Sequence, residues 1–244
     1  MVARSLRIER QRAPRAQAEP RFDPDIGLLV VTDRGFDVLC AAAAGESADA
    51  QAPETQSFTE AGALVSRRVH PALEARLQPA LNPVLELVVS RDQDRTRAWL
   101  GEDDVCLLVP AEGEWRRLVL VPAPALPELL ADLVGLAPRP APERREPLTA
   151  TSPQLARLIA EQRGGRPTAQ RAGELPDDVR LAVEGLRGHW RVAAHRPGTA
   201  QGEMVEVLDA SQGLWLVVPQ NGEVALLPTD PATVWRHLTR LIAP

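Results

Sequence analysis

The stretch VCLLVPAEGEW, residues 105–115, has a near copy in LWLVVPQNGEV, residues 214–224. Five of the eleven aligned positions are identical: Leu107/Leu216, Val109/Val218, Pro110/Pro219, Gly113/Gly222 and Glu114/Glu223. Both stretches consist of an apolar run, a proline, a short polar turn with a glycine, and a return of the chain. This pattern predicts two antiparallel strands joined by a turn.

Each copy is the third in a series of four predicted strands that a helix follows. Short apolar segments rich in branched residues and separated by polar turns are typical of antiparallel strands. In the first half, the strands are predicted at 84–90, 96–101, 105–110 and 116–122, before a helix at 126–136. In the second half, they are predicted at 189–195, 203–209, 214–219 and 224–228, before a helix at 231–242. We interpret the repeated order as an internal duplication.

The third strand of each half is apolar at nearly every position. A strand with one solvent-facing side alternates apolar and polar residues, so both faces of this strand are predicted to be covered. The two copies would then pair into one central sheet with helices packed on it. The predicted fold class is α+β, with two halves that are each an antiparallel β-meander plus helices.

Composition divides the chain of 244 residues into segments. We predict one compact domain with these parts: a disordered basic arm at 1–24, a first half at 25–137, a proline-rich linker at 138–150, and a second half at 151–244. Thr32 stands where it would cap a helix at 33–44, and Pro71 where it would begin a helix at 71–81. A long loop is predicted at 163–178, where glycine and polar residues are concentrated.

Charge is distributed unevenly along the chain. The net charge is −5, but residues 1–21 hold six Arg and two Glu, a balance of +4, so the remainder carries −9. An acidic body is a poor partner for duplex nucleic acid, whose binding depends on neutralising phosphates. No apolar run is as long as a membrane span requires, and the N-terminus lacks the apolar core of a secretory signal. We therefore expect a cytoplasmic protein without stable membrane insertion and without a nucleic-acid partner.

The sequence offers little that supports catalysis or metal binding. Cys40 and Cys106 have no metal-ligand spacing around them, and no nucleophile, phosphate-loop or zinc motif occurs. His189 and His195 share a face of one predicted strand but would lie about 20 Å apart along it, too far for one metal ion. We expect no enzyme activity, no cofactor and no metal ion.

The chain resembles the EspG family, the cytoplasmic chaperones of type VII (ESX) secretion in actinobacteria. The resemblance covers most of residues 25–244 and rests on the order and spacing of three segments: VTDRGFDVLC (31–40), AWLGEDDVCLLVPAEGEWRRLVLVPAPALPELLADLV (98–134), and above all VLD…GLWLVV…LLPTDPATVWRHL (207–238). It implies two quasi-two-fold-related halves of sheet and helix. It also implies a role in binding helical secretion substrates, such as PE–PPE pairs or WXG-like proteins. This chain departs from the family in its short length and in its basic arm.

Tryptophan supplies the candidate partner-binding residues. Five Trp occur; three of them fall on predicted strands and a fourth, Trp115, directly precedes one. Because Trp is enriched at interface hot spots, we select Trp190 and Trp215 as partner-binding residues, while a role as core residues stays open. The strand period places Trp190, Val192 and Ala194 on one face of their strand.

A second hypothesis stays open from the sequence. The chain could be a non-enzymatic ligand-binding or regulatory module that uses the 163–178 loop as a lid, because structureless loops of this length are uncommon. The identity of the substrate and the oligomeric state do not follow from the sequence.

Overall fold

The fold is described from a computed structural model, which covers residues 19–46, 52–162 and 176–243. These residues form seven α-helices and thirteen β-strands, so the predicted α+β class is confirmed. They divide into two compact units. The first unit comprises the described residues up to Val88, Arg95–Leu129 and His195–Gln201. The second unit comprises Val89–Asp94, the described residues of Leu130–Ala194, and those from Gly202 onwards.

The first unit is a sheet with helices and one separate hairpin. The elements that lie wholly or partly in it are, in chain order, β1 (Arg21–Asp23), β2 (Leu28–Thr32), α1 (Asp33–Ala43), α2 (Pro53–Glu60), β3 (Leu64–Val65), β4 (Arg68–Val69), α3 (Pro71–Leu81), β5 (Leu85–Arg91), β6 (Asp94–Leu100), β7 (Asp104–Pro110), β8 (Trp115–Pro122) and α4 (Leu126–Val134). The strands lie in the order β1-β2-β8-β7-β6-β5, and β3 pairs with β4 alone. The pairs β1–β2, β2–β8, β8–β7 and β7–β6 are antiparallel.

The second unit has a sheet of five strands. Its elements are β9 (Leu148–Thr151), α5 (Ser152–Gln162), α6 (Asp177–Ala182), β10 (Gly188–His195), β11 (Glu203–Ala210), β12 (Gly213–Gln220), β13 (Glu223–Thr229) and α7 (Pro231–Ile242). The strands lie in the order β10-β11-β12-β13-β9, and every neighbouring pair is antiparallel.

The order of elements repeats as predicted, and the repeat also includes elements that precede each meander. Four consecutive strands and a helix occur in each unit, β5 to α4 and β10 to α7. In addition, a strand followed directly by a helix precedes each meander, and that strand pairs with the fourth meander strand: β2 with β8, and β9 with β13. The first unit alone inserts α2, β3 and β4 before its meander, among the described residues. A duplication at the level of evolution stays a prediction.

The third meander strand is covered on both faces in β7, as its continuous apolarity predicts, and less completely in β12. In β7 all five residues from Val105 to Val109 are buried. In β12, Leu214, Trp215 and Val217 are buried, whereas Leu216 and Val218, on the face of Leu214, are half-buried. Each strand also has a hydrogen-bonded strand on both sides, so its backbone groups are paired within the sheet.

The turn after each third strand explains the repeated glycine. Gly113 and Gly222 have φ values of +62° and +89°, a region that only glycine enters without a steric penalty. Gln220 pairs directly with Glu223, so Asn221 and Gly222 form a two-residue hairpin turn of the kind that favours Asn-Gly. The corresponding turn of the first unit runs from 111 to 114 and is longer. The role of the repeated segments VPAEGE (109–114) and VPQNGE (218–223) is therefore to form the turn after the third strand.

Side-chain caps fix where the predicted helices begin. The Thr32 hydroxyl accepts a hydrogen bond from the Gly35 N–H at 3.0 Å, so α1 begins where the sequence predicts. His70 Nδ1 accepts from the Ala72 N–H at the start of α3. The Thr233 N–H and hydroxyl both donate to Asp230 ahead of α7, and these bonds hold the pKa of the Asp230 carboxyl below its ordinary value.

Two predicted segment boundaries are wrong. Residues 21–23 belong to the predicted disordered arm 1–24, yet Arg21–Asp23 form β1 and pair with β2. Residues 148–150 belong to the predicted linker 138–150, yet they form most of β9 and pair with β13. In both cases the segment is too short and too polar to signal a strand, and the hydrogen bonds of a neighbouring strand recruit it.

The remaining part of the linker is anchored to the second unit. Arg139 donates from Nε to Asp209 Oδ1 at 3.1 Å and from its terminal nitrogen to Asp209 Oδ2 at 3.0 Å. This hydrogen-bonded carboxylate raises the pKa of Arg139. Nearby, a Cβ on Gly213 would lie 2.8 Å from both the Pro140 carbonyl oxygen and Pro142 Cδ. The connector is therefore packed against the β11–β12 turn.

The connector contact predicts a difference between two glycine variants. Gly213→Ala should lower the free energy of unfolding by about 1–3 kcal/mol more than Gly222→Ala, because only at Gly213 does the new methyl group meet packed atoms. Both glycines have positive φ, and Gly222 has open space around it, so Gly222→Ala is the control for backbone strain. Urea unfolding measures both. Equal losses would contradict the close packing of the connector.

Burial also predicts slow thiol chemistry. Burial raises the pKa of the Cys40 thiol from 9.0 to about 12, and burial raises that of Cys106 further. A shift of this size lowers the thiolate fraction of Cys40 at neutral pH by about a thousandfold. Ellman's reagent should therefore label both thiols slowly in the native protein and rapidly in denaturant. Rapid labelling of either thiol without denaturant would contradict this burial of Cys40 and Cys106.

Candidate protein-binding groove

The two tryptophans selected from the sequence lie in the core. The Trp190 and Trp215 side chains are 3% and 1% exposed. They also lie on opposite faces of the sheet. Trp190 is paired with Val207 and Trp215 with Leu208, and consecutive residues of a strand point to opposite faces. Neither indole is presented to a partner on the described surface, so the structure corrects their selection as contact residues.

An open groove occupies one face of the second unit. It encloses a volume of about 440 Å³ between α5 and the sheet. Its lining residues are Ser152, Leu155, Ala156, Ile159, Ala160, His189, Glu206, Val217, Pro219 and Val224. We call this feature the α5 groove. It combines an apolar floor and wall with a single polar end.

The wall of the α5 groove is a helix whose start is fixed by a reciprocal cap. The Gln154 N–H donates to the Thr151 hydroxyl at 3.3 Å, and the Thr151 N–H donates to Gln154 Oε1 at 2.8 Å. This is the capping-box arrangement, which satisfies two backbone donors at the helix start. The cap places α5 directly after β9, so the helix lies across the sheet to which β9 belongs.

Side-chain size along α5 creates the groove. Leu155, Leu158 and Ile159 are buried against the sheet and attach the helix to it. Ser152, Ala156 and Ala160 follow one another at a spacing of four residues, which places them on one side of the helix. These side chains are too small to fill the space beside them, and Ser152 and Ala156 are exposed.

The sheet side of the groove comes from four strands, β10 to β13. Val217 and Val224 lie in the apolar core cluster beneath α5, and Pro219 is exposed at the end of β12. At the polar end, His189 Nε2 and Glu206 Oε1 are 2.6 Å apart. Their side chains are 20% and 18% exposed, so the pair is half-buried. Glu206 is the only carboxylate among the lining residues.

The residue types of the groove invite comparison with an acyl-transfer site, but the contacts differ. A serine nucleophile needs a hydrogen bond to its base, which a third group orients. Among the described contacts, His189 Nε2 is bonded to the Glu206 carboxyl group, and Ser152 is a lining residue of the groove. Within the described residues, no group of three or more His, Cys, Asp or Glu side chains could hold a metal ion.

Other sequence-based candidates fall elsewhere. Most of the loop 163–178, the predicted lid of the alternative hypothesis, lies outside the described residues, and Asp177 already belongs to α6. His70 is a helix cap. No described helix is both long and apolar enough to cross a membrane. Sequence reasoning missed the groove residues, although Thr-x-x-Gln and the four-residue spacing of Ser152, Ala156 and Ala160 are visible in the sequence.

Core placement of the tryptophans gives a stability prediction. Trp215→Ala should lower the free energy of unfolding by about 3–5 kcal/mol, since it leaves a large cavity. Trp215→Phe should cost less than half as much, because Trp215 Nε1 has no hydrogen-bond acceptor among the described residues and its removal loses no bond. Urea unfolding measures both variants. A Trp215→Ala protein of unchanged stability would contradict the core placement.

Comparison with known proteins supports the fold. No protein-family profile matches the chain, and no curated protein matches it in sequence. Among solved structures, it is similar to the Mycobacterium tuberculosis type VII secretion system chaperone EspG5, solved in complex with a PE25–PPE41 dimer. The alignment has a TM-score of 0.52 and 13% identity, and it covers 88% of this chain and 95% of that one. At this identity the likeness shows an EspG-like α+β fold.

Proposed function

We propose that this chain is a cytoplasmic, non-enzymatic chaperone for type VII (ESX) secretion substrates, and that it binds a helical segment of a substrate in the α5 groove. The substrates in view are PE–PPE-type pairs or WXG-like helical proteins. The observation that carries the proposal is the open apolar groove on a fold shared with a chaperone that has been solved with its PE25–PPE41 partner.

The shape and chemistry of the groove favour a helical occupant. Amphipathic helices are commonly recognised when their apolar face enters an apolar groove. The side chains of Ser152, Ala156 and Ala160 are small, so the backbone of a second helix can approach this side of α5 closely. A helix seated there would cover the exposed Ala156 and Pro219 and shield its own apolar face, which is the physical task of a chaperone that prevents aggregation before export.

A small-molecule ligand is the second candidate. The groove volume of about 440 Å³ lies within the range of small-molecule sites. Such sites orient their ligand with several converging polar groups, whereas the polar lining here is confined to Ser152, His189 and Glu206. The helical occupant therefore fits the lining better.

A groove-blocking variant tests the proposed function. The tagged protein is recovered from its native host, and bound proteins are identified and quantified by mass spectrometry. We expect a stoichiometric helical protein or pair, and Ala156→Trp should lower its recovery by at least about tenfold, because the indole fills the groove. The Ala156 side chain is exposed, so the variant leaves the core intact.

Glu161→Trp is the matched control. Glu161 lies on the same helix, is 40% exposed, and is absent from the groove lining. Loss of the partner with Ala156→Trp, together with wild-type recovery by Glu161→Trp, would support binding at the groove, and wild-type recovery by Ala156→Trp would contradict it. Equal loss with both tryptophan variants, or a protein recovered alone from a host that makes such substrates, would contradict the proposal.

A further inference from the structure

We propose that the polar end of the α5 groove selects its occupant, and that it admits a helix carrying a basic side chain opposite Glu206. This inference rests on the proposed function, because it names which class of helix the groove binds. It concerns the half-buried pair of His189 and Glu206 at that end of the groove.

Glu206 gives the groove lining its one carboxyl group. The other lining residues are apolar or small, apart from Ser152 and His189. The bond of 2.6 Å to His189 Nε2 occupies Oε1 and fixes the orientation of the carboxylate. A carboxylate accepts hydrogen bonds at several sites on its two oxygens, so one bond does not exhaust its capacity.

An occupant of the groove must satisfy this carboxylate. A helix lying over Glu206 would remove water from a group that is already half-buried. If the helix were apolar at that point, the buried charge would be left with an imidazole as partner and would oppose binding. An arginine or lysine at that point replaces the lost water with charge-assisted hydrogen bonds. A glutamate there would be repelled.

A neighbouring cation limits the size of the preference. Arg191 is the cross-strand neighbour of Glu206 and is exposed. The positive charge of its guanidinium makes the potential around Glu206 less negative, and the guanidinium competes with a basic side chain of the occupant for the carboxylate. We therefore expect a preference of about tenfold, which is within what one hydrogen bond to a charged group provides.

Three synthetic peptides test the inference with the full chain. Each is an amphipathic helix of about 18 residues, or about 27 Å, with leucine and alanine on one face. They differ at one central position of that face, which is Arg, Gln or Glu. Fluorescence anisotropy should give about tenfold tighter binding for the Arg peptide than for the Gln peptide, with the Glu peptide weakest.

Variants of the carboxylate locate the effect. Glu206→Gln should bring the Arg and Gln peptides to equal affinity, and Glu206→Arg should reverse the order in favour of the Glu peptide. Glu203→Gln is the control, because Glu203 lies on the same strand three residues earlier and belongs to the opposite face. It should leave the Arg preference unchanged. Circular dichroism of each variant separates a folding defect from lost selectivity.

The outcomes distinguish this inference from the proposed function. If the three peptides bind wild type equally and Ala156→Trp abolishes all binding, the groove is a helix site but the selection by Glu206 is wrong. If the Arg preference persists in Glu206→Gln, the selecting charge lies elsewhere and the inference is also wrong. If no peptide binds to wild type, both the helix site and its selectivity are overturned.

Discussion

A strand that is buried on both faces must satisfy two demands at once. Its backbone N–H and C=O groups need hydrogen-bonded neighbours on both edges, and its two apolar faces need covering layers. β7 meets the first demand through β6 and β8, and β12 meets it through β11 and β13. The tight turns that follow these strands, with Gly113 and Gly222 at positive φ, are a direct consequence. The similar segments 105–115 and 214–224 therefore meet the same constraint in the two halves of the chain.

The second demand is met differently in the two units. In the first unit, Phe36 of α1 stacks on Trp99 of the sheet with ring centroids 4.8 Å apart, and α2 and α3 add further buried residues. In the second unit, the corresponding helix α5 attaches through Leu155, Leu158 and Ile159. Its small residues leave the α5 groove open beside them. The groove therefore arises where the cover of the sheet is incomplete.

The tryptophan prediction was wrong for a physical reason. Trp is frequent at interface hot spots, but it is also a large apolar side chain that fills cores. The strand period correctly groups Trp190 with Val192 and Ala194, all of which are buried. It does not state whether a helix of the same chain covers that face. The groove depends instead on small side chains, Ala156 above all, whose contribution is the volume that they leave empty.

The sequence by itself determined the α+β class, the two series of four strands and a helix, the cap at Thr32, the helix start at Pro71, and the turns at Gly113 and Gly222. All of these depend on local periodicity and on backbone preferences that a few neighbouring residues express. Tertiary structure alone decided that β1 and β9 join their sheets, that Arg139 anchors the connector to Asp209, and that His189 meets Glu206 at the end of the α5 groove. These features join residues far apart in the chain, and side-chain contacts at such separations leave no periodic signal in the sequence.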